Sequence, residues 1–84
     1  MKNDADVERQ WIDLPVIVAC DREDRAFELV LEPLGDTLEI GPGQKVSFRL
    51  RGDLVGELVI TRSARYVEVW ANGVDVLSIQ RDDG

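Results

Sequence analysis

Histidine is absent from this 84-residue chain. That removes imidazole general bases, Ser–His and Cys–His nucleophile pairs, and nearly every catalytic zinc site. Cysteine occurs once, as Cys20, so no disulfide framework is possible within the chain and structural zinc has no ligand set. No glycine run has the spacing of a phosphate-cradling loop or a dinucleotide fingerprint. The longest apolar run, Leu14 to Cys20, is far shorter than a membrane span. Residues 1–10 read MKNDADVERQ and lack the basic, then apolar, order of a secretion signal. A lone thiol and no such signal make a reducing cytoplasm the expected setting, with no membrane association.

Positive charge is scarce as well. Ten Lys and Arg stand against seventeen Asp and Glu, a net charge of −7. Binding to a nucleic-acid backbone draws on clustered cations, so nucleic acid is not an expected partner, whereas a basic protein is a natural one.

What is present is alternation. Phe27, Leu29 and Leu31 share one face of an extended segment, with Glu28, Val30 and Glu32 on the other. Leu38 and Ile40 repeat the pattern, and Val46, Phe48 and Leu50 repeat it again. A period of two, broken by Pro33-Leu34-Gly35-Asp36 and Gly41-Pro42-Gly43, marks half-buried antiparallel strands. The first run predicts a hairpin with Leu31 opposite Leu38 and Leu29 opposite Ile40, which matches the apolar faces. Gly41-Pro42-Gly43 suits a type II turn that would bring Ile40 opposite Val46, or else an arch between two sheets.

Further strands are expected at Val16–Cys20, Glu57–Thr61, Tyr66–Ala71 and Val74–Ile79, with Arg51-Gly52-Asp53 opening a loop. Asn72-Gly73 is a strong hairpin signal, because a type I′ turn needs two residues that tolerate φ > 0. It predicts Val69 opposite Val76. Residues 1–13 stand apart: Val7, Trp11 and Leu14 have helical spacing, so this stretch is a short helix or a tail. Residues 14–80 form one β domain, and 81–84 a solvated tail. About seven short strands make a small antiparallel β-sandwich or a partly open barrel. A chain of this length has roughly 4 to 12 kcal/mol of total stability.

Catalytic groups are thin on the ground. Glu28 and Glu32 share a strand face but lie about 13 Å apart, beyond the roughly 5–9.5 Å of paired glycosidase carboxylates. Glu28 and Glu39 are diagonal in the expected register. Asp21-x-Glu23-Asp24 lacks the glycine and terminal glutamate of a calcium loop, so it is read as a charged turn. No metal or other cofactor is expected, and a carboxylate-only hydrolase is the least favoured reading. Cys20 lies in an apolar run and is expected to be an inert core thiol.

The last hairpin carries the strongest functional expectation. Val67, Val69, Val74 and Val76 would share one face; Tyr66, Trp70, Leu77 and Ile79 would share the other. Trp11 could cover that second face. Left uncovered, it would be a binding surface with Tyr and Trp anchors. The function expected is a non-enzymatic interaction module using Tyr66, Trp70, Leu77 and Ile79. The alternative is an acidic, immunity-like neutraliser of a basic partner. A homodimer through an exposed edge strand fits either.

The segment Leu29-Val30-Leu31-Glu32-Pro33-Leu34-Gly35-Asp36, followed by Ile40-Gly41-Pro42-Gly43, resembles a strand-turn pattern of small uncharacterised bacterial all-β domain proteins. The resemblance covers residues 26–50 and, more loosely, the strands to Ile79. Leu34 stands where such proteins often carry Trp. It implies a fold and no activity. The strand, Pro-Gly, strand rhythm is also similar to cupredoxin-like sandwiches, whose copper ligands have no histidine counterpart here.

Overall fold

A computed structural model describes residues 8–82, and among them are seven β-strands and no helix. The strands are β1 (Arg9–Ala19), β2 (Phe27–Glu32), β3 (Asp36–Ile40), β4 (Lys45–Val55), β5 (Val59–Arg62), β6 (Tyr66–Trp70) and β7 (Val74–Asp82). They form a three-stranded sheet ordered β1-β4-β7 and a four-stranded sheet ordered β3-β2-β6-β5. Both sheets have open edges, so the molecule is a two-sheet sandwich and not a closed barrel. All pairings are antiparallel except β2–β6, which is parallel.

The alternation fixes which side chains face inward. Leu29 and Leu31 of β2, Ile40 of β3 and Val69 of β6 are buried from one sheet; Val46, Phe48, Leu50 and Leu54 of β4, with Val74 of β7, are buried from the other. Each such Leu, Ile, Val or Phe contributes about 1.5–3 kcal/mol by leaving water. No polar or charged residue is buried among those described. Among the described residues no helix is long and apolar enough to cross a membrane.

Turn chemistry is partly as the residues dictate. Gly43 has φ +77° and the Gln44 N–H donates to the Gly41 carbonyl at 3.0 Å, which is the type II turn expected around Pro42. The turn nonetheless carries the chain between sheets, so Ile40 and Val46 do not pair. The β2–β3 hairpin forms two residues tighter than expected, with Leu29 opposite Leu38 and Leu31 opposite Asp36. Its turn closes when the Gly35 N–H donates to the Leu31 carbonyl at 2.8 Å. A slip of two keeps every side chain on its face, so the apolar pattern could not have distinguished the registers.

Three expectations are corrected. Residues 9–13 are strand, not helix or tail, because Arg9–Asp13 pairs with Arg51–Val55 of β4; residues 1–7 lie outside the described residues. Arg51-Gly52-Asp53 is no loop but part of β4: all three pair with β1, and Arg51 and Gly52 pair with β7 as well. Residues 81 and 82 continue β7, with Arg81 opposite Val46, while 83 and 84 lie outside the described residues.

The largest correction concerns Asn72-Gly73. Here β6 and β7 belong to different sheets, so the last hairpin does not exist. Gly73 has φ +85°, but Asn72 does not have positive φ, and a type I′ turn needs both. The turn is an arch: the Val55 N–H donates to the Asn72 carbonyl at 2.9 Å, tying the turn back to β4. Val67 and Val69 face Val74 and Val76 across the core, not along one sheet.

Cys20 is buried, and its Sγ donates weakly to the Arg25 carbonyl at 3.3 Å. Burial pushes the thiol above its ordinary range, with the charges of Asp24 and Asp21 adding to the effect. The folded state therefore holds this proton more tightly than the unfolded chain does. Its stabilisation is complete below the unfolded thiol value of about 8.5 and is lost as pH rises beyond it. Thermal melts should show an alkaline decline that is reduced in Cys20→Ala; an identical decline in both proteins would contradict this assignment.

A candidate interaction face on the four-stranded sheet

The structure separates the four residues that were expected to form one face. Tyr66 and Trp70 lie on β6, 41% and 39% exposed; Leu77 and Ile79 lie on β7, in the other sheet, 37% and 42% exposed. Trp11 covers neither pair. It stands opposite Asp53 in the three-stranded sheet and is 65% exposed.

The register places Tyr66 and Trp70 in new company. Across the outer face of the four-stranded sheet, one row runs Glu39, Glu28, Tyr66. The next runs Thr37, Val30, Glu68, Thr61, and the third Glu32, Trp70, Val59. This face therefore presents four glutamates and two aromatic rings, with no lysine or arginine at any of its strand positions. Glu28, Glu32, Glu39 and Glu68 take part in none of the ion pairs found among the described residues.

The opposite surface has another character. The outer face of the three-stranded sheet interleaves Arg9, Lys45, Arg49 and Arg51 with Asp13, Asp53, Asp75 and Asp82. Arg9 pairs with Asp53 at 3.5 Å, Lys45 with Asp82 at 3.6 Å, and Arg49 with Asp13. Exposed pairs of this kind contribute at most about 1 kcal/mol each, but they cancel the local field. One outer face is balanced; the other is uniformly negative. Composition alone gave the total charge and not this division, which depends on which strands share a sheet.

Glu28 and Glu39 are directly opposed, where the sequence had made them diagonal. Like charges facing each other across strands are destabilising, by about 0.2–1 kcal/mol. Glu39→Gln should therefore raise stability by that amount in chemical denaturation, and an unchanged or lowered stability would argue against the opposed geometry. Direct opposition also brings this pair into the separation range of glycosidase carboxylates. Such chemistry requires environments that set two carboxyls apart. Both of these are exposed on an open sheet face.

A cleft of about 300 Å³ lies elsewhere, lined by Val18, Asp24, Arg25, Phe27, Arg62 and Val67 among others. Arg62 and Asp24 come within 4.0 Å of each other there. Among the described residues no group of three or more His, Cys, Asp or Glu is arranged to hold a metal ion, and Asp21, Glu23 and Asp24 form a turn in which Asp21 caps the Glu23 N–H at 3.0 Å. Comparison with protein-family models matches none of them, and comparison with curated proteins and with solved structures finds no significant relative.

Proposed function

We propose that this protein is a non-enzymatic binding module that takes a basic protein partner on the outer face of its four-stranded sheet. The observation that carries this reading is the grouping of Glu28, Glu32, Glu39 and Glu68 around Tyr66 and Trp70, without a cation, on one face of a molecule whose other face is charge-balanced. Arginine or lysine side chains meet carboxylates there and also the faces of two rings, where cation–π contact adds about 0.5–1 kcal/mol at exposed sites. Tyr and Trp supply large contact area at low entropic cost, as they do in protein interfaces generally. A basic nuclease or toxin neutralised by this chain fits the chemistry. The lone Cys20 fits a reducing, cytoplasmic setting. Leu77 and Ile79, on the other sheet, have no part in this face.

The test is Trp70→Ala, measured for capture of a basic partner from source-cell lysate and for thermal stability. An anchor of this kind accounts for about 2 kcal/mol, some thirtyfold in affinity, whereas a half-exposed ring contributes less to folding. Capture that is unchanged by the substitution, or lost only in step with unfolding, counts against the proposal.

A further inference from the structure

Among the described residues four strands lie at sheet edges, β1 and β7 in one sheet and β3 and β5 in the other. An unprotected edge is a template for another strand, and proteins block such edges by recognisable means. Three of these four are blocked. Along β1, the Cys20 N–H donates to the Gln44 carbonyl and the Gly56 N–H to the Glu8 carbonyl, each at 2.9 Å. Even-numbered residues of β1 thus bond to β4, and odd-numbered ones face the open edge. Pro15 is odd, so the missing donor falls in the middle of that edge. On β7 the ladder is broken where Ser78, with φ +57°, and Ile79 stand against the single Phe48, a bulge that twists the edge. The edge of β3 is five residues long and carries Asp36 and Glu39.

At four residues β5 is the shortest of these edges, but it has none of the other devices. Its residues Val59-Ile60-Thr61-Arg62 are all exposed, have no proline or bulge, and carry charge only at the last position. The Ser63 N–H donates to the Tyr66 carbonyl at 2.9 Å, so odd residues of β5 bond to β6. The N–H and C=O groups of Ile60 and Arg62 therefore point outward. Ile60 is 59% exposed although its parity is that of the core-facing side chains.

We infer that β5 pairs antiparallel with β5 of a second copy, about a two-fold axis through Ile60. Only outward residues can form bonded pairs, which leaves few registers. Centring on Arg62 would oppose two guanidiniums. Centring on Ile60 brings Ile60 against Ile60 of the second copy and Val59 against its Thr61, all uncharged. The two four-stranded sheets then become one eight-stranded sheet with a single continuous outer face. Across that seam the Glu68 residues of the two copies are three strand spacings apart and offset by two residues, about 16 Å in all. That exceeds the Debye length of about 8 Å at physiological salt, so the glutamates do not prevent association. The net charge of −7 per copy still opposes it at low salt.

Sedimentation equilibrium and amide hydrogen exchange on the purified chain test this. The expected result is a mass rising from 9.4 kDa toward twice that with concentration, more readily at high salt than at low. Capture of a basic partner has the opposite salt dependence, so the two readings fail separately. The Ile60 and Arg62 amides should gain protection as concentration rises. Ile60→Pro, which removes an edge donor, and Ile60→Lys, at a side chain already 59% exposed, should stay folded and be monomeric. A monomer at every concentration overturns the inference. So does a dimer that survives in folded Ile60→Lys, or protection of these amides that does not depend on concentration.

Discussion

Gly73→Ala is expected to destabilise the fold by about 3 kcal/mol or more, a large share of the roughly 4 to 12 kcal/mol that a chain of this length has. Two costs coincide at this position. Its φ of +85° is one that an L-residue seldom adopts, and an added Cβ would collide with the Asp53 carbonyl oxygen. That oxygen belongs to the central strand β4, so it cannot give way without disturbing the pairing of Asp53 with Trp11 of β1. Gly52 is the partner in this close approach; its Cβ would meet the Gly73 carbonyl oxygen at 2.8 Å. Gly35 supplies the control. It has a similar φ of +81° with nothing within 4 Å, so Gly35→Ala carries conformational strain alone and should cost about 1 kcal/mol. Denaturant melts of Gly35→Ala, Gly52→Ala and Gly73→Ala separate strain from collision. Equal losses at Gly35 and Gly73 would contradict the packing of the β6–β7 arch against β4.

That arch is also where the sequence was least legible. The alternation of Phe27 to Leu50 identified strands and their inward faces, because a period of two reports parity whatever a strand pairs with. It identified Val67, Val69, Val74 and Val76 as core-facing for the same reason. Pairing is a different matter. Asn72-Gly73 has hairpin chemistry, but an arch requires a tight turn as well, and β6 finds partners in β2 and β5 while β7 finds one in β4. Gly52 carried the missing signal: a glycine inside a strand marks a close approach of backbone, here that of Gly73. The binding face suffered in proportion. Tyr66 and Trp70 were legible as sharing the strand face opposite the valines, but their neighbours Glu28, Glu32 and Glu39 come from strands more than twenty-five residues away. A parallel β2–β6 pairing leaves no local trace in the chain.

Neutralising the acidic face should have the second large effect. The triple variant Glu28→Gln, Glu39→Gln and Glu68→Gln is expected to slow association with a basic partner by about ten- to a hundredfold at low salt, since steering depends on the field over the face. The difference should shrink as salt rises, and folding stability should not fall, because Glu28 and Glu39 oppose each other in the native sheet. Asp13→Asn with Asp53→Asn, on the balanced face, removes as much charge per site and should change the association rate far less. Equal slowing by both variants would mean that total charge, not its placement, governs binding.

The most direct measurement is a two-dimensional amide NMR titration of the labelled chain with a lysine- and arginine-rich peptide. Shifts concentrated at Glu28, Val30, Glu39, Tyr66, Glu68 and Trp70, with Asp13, Arg49 and Asp75 unmoved, are the result predicted by a single acidic binding face. Shifts spread evenly over both sheets, or centred on the three-stranded one, would contradict it.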